Sequence, residues 1–320
     1  MLAGMSRDRD QEAPPAPEPL AVPVLDSHTH LDIVVGAARD ERDTDGEREQ
    51  SDEHVYTARA AEQIEAARSV GVDRVVQVGV DLLSSRWSVR LAQEYSSVLA
   101  AVALHPNEAP ALCKAGELDE ALRVIEGLAR EDRVRAVGET GLDTYRTGDE
   151  GRVAQEESFR AHIAIAKATG KALVVHDRDA HSDVLRVLTE EGAPERVVLH
   201  CFSGDERFAA ECVRRGYLLS FAGTVTFKNA AYLREAARLT PLDQLLVETD
   251  APFLTPMPYR GRPNASYLVP LTVRSLAATL GRDLDEVCAS LSVNGERVFG
   301  PWAAVPAPWR LAPRTTRDCR

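Results

Sequence analysis

Eight short runs of β-branched and apolar residues recur along this 320-residue chain, separated by segments with helical spacing. The runs begin near Val22 (VPVLDS), Arg74 (RVVQV), Val98 (VLAAVAL), Val134 (VRAVG), Ala172 (ALVVH), Val197 (VVLH), Tyr217 (YLLSF) and Leu245 (LLVE). Between them, Leu118, Leu122, Ile125 and Leu128 repeat every three or four residues, as do Phe159, Ile163 and Ala166. Continuous apolar strands alternating with amphipathic helices predict a parallel sheet covered on both faces. Eight such units in about 250 residues predict an α/β fold of the TIM (β/α)8 barrel type. A doubly wound open sheet would advertise a glycine-rich first turn, and neither GxGxxG nor GxxxxGK[ST] occurs.

The ends of the chain lack this periodicity. Residues 1–21 mix Pro, Ala and charge and are expected to be a disordered arm. Residues 22–300 hold the barrel. Within them, residues 39–53 carry eight acids and three arginines and read as a solvated surface insertion. Residues 301–320 read as a loose Pro- and Arg-rich tail. No run approaches the roughly 20 apolar residues of a membrane span, and the N-terminus has no apolar core of a signal peptide. With five scattered cysteines and no CxxC spacing, the expectation is a cytoplasmic protein with reduced thiols.

The net charge is −12 and aromatic residues make up 5% of the chain. Bulk electrostatics therefore do not hold such a protein to nucleic acid, and a stacking platform for many bases is not expected. If the substrate is a phosphate ester, local positive charge must come from bound metal.

Five of the eight histidines fall at or just past a predicted strand end: His28, His30, His105, His176 and His200. Glu139 ends the fourth run and Asp250 the eighth. Strand ends of a barrel converge on one mouth, and that mouth carries the active site. His28 and His30, two apart, share one strand face, and Asp26 and Asp32 flank them as candidates to orient the rings. His54, His162 and His181 lie in predicted helices, as surface or satisfied core residues. Taken singly, each strand-end histidine is more often structural. Their convergence with two carboxylates, which are costly to bury unpaired, favours metal. Imidazole with carboxylate suits Zn²⁺, Mn²⁺, Fe²⁺ or Co²⁺, and Mg²⁺ less well. Six ligands suit two divalent ions bridged by a shared carboxylate.

LDSHTHLD (25–32), LHP (104–106), GETGLD (138–143), HDRDA (176–180), HCFSG (200–204), ETDAPFLTP (248–256) and YRGRPN (259–264) resemble, in order, the signature blocks of the TatD-type metal-dependent hydrolases. VNGERVF (293–299) resembles that family's last helix. The resemblance implies a TIM barrel with two divalent ions that hydrolyses DNA phosphodiesters, commonly as an exonuclease from the 3′ end. It places His28, His30 and Asp250 on one ion, His176 and His200 on the other, and Glu139 between them. The chain departs from the family's usual pattern at Ala103, where glycine is common. It departs again at Ala265-Ser266, where the loop usually continues Glu-Pro.

These residues assign roles. Asp250 orients the attacking hydroxide and takes its proton. His105, Arg178 and Arg260 are candidates to meet the phosphate oxygens, although Arg178 could instead pair with Asp177 or Asp179, and Arg260 could brace its own loop. DNA strand ends are the expected substrate, with no membrane and no stable protein partner. The competing readings on the same site are an amidohydrolase or lactonase, and an aminoacyl-tRNA ester hydrolase. The first usually bridges its metals with a carboxylated lysine, and no lysine ends the fourth run.

Overall fold

A computed structural model describes residues 12–37 and 49–302. The eight strands form one sheet in sequence order: β1 (Val24–Thr29), β2 (Val72–Val78), β3 (Val98–Val102), β4 (Val134–Asp143), β5 (Ala172–Arg178), β6 (Val197–Leu199), β7 (Leu218–Phe221) and β8 (Leu245–Val247). Every neighbouring pair is parallel. The ends of the sheet meet where β8 returns to β1. The Asp250 N–H donates to the His28 carbonyl, and the His30 N–H to the Ala251 carbonyl, both at 2.9 Å. The barrel is thereby nearly closed, as the strand–helix alternation predicted.

The strands form because their side chains find apolar partners on both faces. All five residues of β3 are buried. Inside the barrel Leu25, Val76, Val78, Leu99, Ala136, Val174, Val198 and Leu246 pack together, and Val298 and Phe299 of the last helix (Leu284–Phe299) close that cluster. Outside, the predicted helical faces are real: Leu118, Leu122 and Ile125 lie buried along Leu118–Ala129, and Phe159, Ile163 and Ala166 along Arg152–Thr169.

Two local features set the site. The pairing of β4 with β5 shifts register between Val137 and Thr140. Glu139 therefore lies within a strand that continues to Asp143, not at the end of a shorter one as the sequence suggested. Gly141, at φ +145°, lets β4 approach β5 so closely that a Cβ there would lie 2.0 Å from the His176 carbonyl oxygen.

The chain ends differ from the expectation where they are described. Residues 12–20 are docked: the Leu20 N–H donates to the Val70 carbonyl at 3.0 Å, Arg262 donates to the carbonyls of Glu12 and Ala13, and the Tyr267 hydroxyl donates to that of Pro14. Backbone acceptors without a regular partner are met here by side chains from the far end of the sequence. Likewise Trp302 packs on Phe299 and donates to the Ser97 carbonyl at 3.2 Å. Residues 1–11, the acidic stretch up to 48 and the tail from 303 onward lie outside the described residues. The helix Glu49–Ser69 begins inside the predicted insertion. No helix of the described residues is long and apolar enough to cross a membrane.

Candidate metal centre

All six expected ligands converge at the C-terminal mouth of the barrel, and Glu139 is their centre. Its Oε1 faces His28 Nε2 at 3.6 Å and His30 Nε2 at 3.4 Å. Its Oε2 faces His200 Nε2 at 2.8 Å and His176 Nδ1 at 3.0 Å. Asp250 Oδ1 lies 3.4 Å from His30 Nε2 and 3.8 Å from His28 Nε2. One carboxylate thus divides four imidazoles into two pairs, and the second carboxylate sits with the first pair. Three overlapping groups have donor atoms close enough to share an ion: His28, His30 and Glu139; His28, His200 and Asp250; His105, Glu139 and His176.

The groups on the far side of the rings bear on which nitrogen faces the centre. His30 Nδ1 lies 3.1 Å from the Val78 carbonyl and donates to it, leaving Nε2 with a lone pair. His200 Nδ1 faces Glu248 Oε1 at 3.4 Å, and His176 Nε2 faces Asp143 Oδ2 at 3.4 Å, which turns the other nitrogen of each ring toward Glu139. His105 is the opposite case. Its Nδ1 accepts from the Asn107 N–H at 3.1 Å, so its proton sits on Nε2, which points toward Glu139 Oε2 at 3.8 Å. Although it belongs to the third group, its tautomer makes it a donor, which suits an anionic oxygen better than a cation.

Burial raises the Glu139 carboxyl, but the facing imidazoles of His200, His105 and His176 outweigh it and hold the group well below the usual range. Burial likewise opposes ionisation of Asp250, and His30 and His28 overcome it. Without a cation, protonated imidazoles balance these carboxylates: against the effect of burial, the carboxylates they face raise His30 and His200 well above the ordinary histidine value, and a bound divalent ion would take the place of those protons. Burial lowers His105 to about 4, so it is neutral near pH 7. His28 Nε2 and His30 Nε2 stand only 3.2 Å apart, and each also faces carboxylate oxygens. Lone pairs converging in this way fit a divalent cation, which satisfies them all at once.

Asp26 and Asp32 do not orient the rings. Asp26 is fully buried and accepts from the Thr249 N–H at 2.9 Å and the Thr249 hydroxyl at 2.5 Å, tying β1 to the segment after β8. Burial pushes its carboxyl up to about 7 despite those bonds. Asp32 accepts from Gln77 Nε2 at 2.8 Å. The residues that lean on the outer ring nitrogens are Glu248 and Asp143, which the sequence reading missed. The only signal was an acid two positions before Asp250 in ETD, and one four positions after Glu139 in GETGLD.

Arg178 and Arg260 are exposed near this mouth. The Arg178 guanidinium lies 4.6 Å over the Tyr145 ring and does not pair with Asp177, whose carboxylate instead meets His181 at 2.8 Å. Arg260 lies 4.3 Å over the Phe227 ring. His162 is a satisfied core residue: its Nε2 accepts from the Leu104 N–H at 3.0 Å. His181 opens the helix His181–Glu191 and stacks on Phe208. His54 lies in the helix Glu49–Ser69, with its side chain outside what is described.

Residues 25–300 match the family model described as TatD related DNase. A relative from Mycobacterium tuberculosis, "Uncharacterized metal-dependent hydrolase TatD", is 46% identical over 281 residues, spanning 87% of this chain and 98% of its own. A relative from Citrobacter rodentium, "3'-5' ssDNA/RNA exonuclease TatD", is 32% identical over 247 residues, spanning 75% of this chain and 91% of its own. Among solved structures, the TatD homologue YJJV from Escherichia coli superposes with a TM-score of 0.74 at 24% identity, covering 87% of this chain and 98% of that one.

Proposed function

The chain belongs to the TatD-related DNase family of metal-dependent hydrolases, and from that premise we propose that it hydrolyses phosphodiester bonds at single-stranded nucleic-acid ends, from the 3′ end. The observation that carries this reading is the division of four imidazoles by the two oxygens of Glu139. His28, His30 and Asp250 would hold one divalent ion, His176 and His200 a second, and Glu139 would bridge them. The exonuclease named in Citrobacter rodentium supports the substrate class.

Divalent ions there supply Lewis acidity toward a phosphoryl oxygen and lower the pKa of water. The side chains do the rest. Asp250 is the most exposed carboxylate of the cluster, at 14% against 5% for Glu139. It can receive the proton of the attacking water, while its backbone N–H is locked to His28. His105 offers its Nε2–H to a non-bridging phosphate oxygen. Arg178 and Arg260 offer guanidinium forks at the rim, where an anionic strand would enter. The thiols of the four described cysteines are free, in keeping with action in the reducing cytoplasm.

The test is purified protein loaded with Mn²⁺, Mg²⁺ or Zn²⁺, given 5′-labelled single-stranded DNA and RNA, a blunt duplex, and small carboxylic esters and lactones. A ladder shortening from the 3′ end on single strands is expected. Ester or lactone cleavage without nucleic-acid cleavage would overturn the reading. Because the contacts are few, the salt dependence of binding should be shallow.

A further inference from the structure

Two large aromatic rings at the barrel mouth stand open to water: Tyr145 is 66% exposed and Phe253 is 51% exposed. The Phe253 ring lies 6.4 Å from the His30 ring, edge to face. Its backbone is held twice, by its N–H donating to the Asp250 carbonyl at 2.9 Å and by its carbonyl accepting from Asn264 Nδ2 at 2.5 Å. Asp250 and Leu254, on either side, have left-handed φ values of +53° and +58°. That conformation is unfavourable for residues with a Cβ. The loop thus fixes Phe253 in place without burying its ring.

Tyr145 is held in a parallel way. Its N–H donates to Asp143 Oδ1 at 3.0 Å, and the other oxygen of Asp143 faces His176 Nε2. Arg178 covers part of its ring. Tyr145 follows β4 and Phe253 follows β8, and these strands are four apart in an eight-stranded sheet whose ends meet. The two residues therefore follow strands on opposite sides of the barrel.

A rigid aromatic face in water is a stacking platform, and every nucleobase presents a π-face to it. In a duplex those faces are covered by neighbouring bases. With a net charge of −12, the protein needs affinity that does not come from bulk electrostatics. We infer that Phe253 and Tyr145 form two nucleobase subsites flanking the scissile linkage, through which the enzyme selects unpaired strand ends by base face and not by base identity. This rests on the phosphodiester reading above.

The experiment compares Mn²⁺-loaded wild type, Phe253→Ala, Tyr145→Ala and Phe253→Trp on two single-stranded oligonucleotides. One is normal and one lacks the bases of its two 3′-terminal nucleotides. Each alanine variant should lose about 5- to 150-fold in kcat/KM on the normal strand, lose nothing on the abasic strand, and keep the wild-type melting temperature. Phe253→Trp should retain activity. Separately, 2-aminopurine at the 3′ terminus should be quenched on binding Asp250→Asn protein, and adding one of the two substitutions, Phe253→Ala or Tyr145→Ala, should abolish the quenching. Equal losses on both strands, or none on either, would overturn the inference while leaving the phosphodiester reading intact. If wild type cleaves no nucleic acid, both fall together.

Discussion

Glu139 and His200, 61 positions apart in sequence, meet with Oε2 and Nε2 separated by 2.8 Å, while the other oxygen of Glu139 faces His28 and His30. Removing the charge while keeping the shape isolates the bridge. Glu139→Gln should fold, since the interior cluster does not include it, but should hold fewer than the two divalent ions proposed per chain. Turnover should fall by more than the roughly 10- to 100-fold typical of residues that only orient a ligand. Elemental analysis of the dialysed variant is the check, and unchanged metal content would remove Glu139 from the bridge.

Asp250→Asn tests the proton acceptor. Asparagine is nearly isosteric, and the bond from the Asp250 N–H to the His28 carbonyl is a backbone bond that survives. The amide oxygen can still ligate, but it is a poor base. The variant should keep much of its metal and lose about 10²–10⁴-fold in kcat. Wild-type turnover at full metal occupancy would show that the proton goes elsewhere.

Much of this site was legible because barrels gather strand ends whatever the sequence between them. Continuous apolar runs marked the strands, so His28, His30, His105, His176 and His200 could be placed at one mouth. What was illegible depends on partners from other strands. The register shift at Glu139 is a property of the β4–β5 pair and leaves no mark on β4 itself. Asp26 sits beside His28 in sequence, yet its side chain serves Thr249, which arrives 223 residues later. The N-terminal segment has no periodicity to show its docking, because the groups that hold it are arginines from the C-terminal third that donate to its carbonyls.

Glu248 is the least expected member of the site. It is fully buried, accepts from the Cys201 N–H at 2.6 Å, and faces His200 Nδ1 at 3.4 Å. Glu248→Gln can still accept from Cys201, but it no longer offers His200 a full negative charge. Metal affinity should drop about 10- to 100-fold with the fold intact. Isothermal titration with Mn²⁺ against the apo variant reads this directly. An unchanged affinity would make Glu248 a purely structural acceptor.

Deleting residues 1–14 removes the acceptors of Arg262 and Tyr267. Each hydrogen bond contributes about 0.5–1.5 kcal/mol net, so the melting temperature should fall by a few degrees. Arg262 belongs to the 256–264 loop that carries Arg260, so KM for an oligonucleotide should rise while kcat holds. If neither melting temperature nor KM moves, the docked segment has no hold on that loop.

His162 ties stability to pH without touching the proposed ligands. It is fully buried, its Nδ1 donates to the Ser158 carbonyl at 2.7 Å, and its Nε2 accepts from the Leu104 N–H. That pattern needs the neutral ring. Burial lowers it from 6.5 to about 4, the bond to Ser158 opposing only in part. The unfolded chain therefore takes up a proton below about pH 6.5 that the folded chain refuses until about pH 4. The contribution of His162 is complete above the unfolded value and declines as pH falls through this window, by about 3 kcal/mol at its foot. In His162→Gln, where the amide oxygen can accept from Leu104 and nothing titrates, denaturant unfolding should show a shallower loss of stability between pH 6.5 and 4 than wild type. Parallel profiles for the two proteins would mean that His162 carries its proton in the folded state, and that the Leu104 N–H is satisfied in some other way.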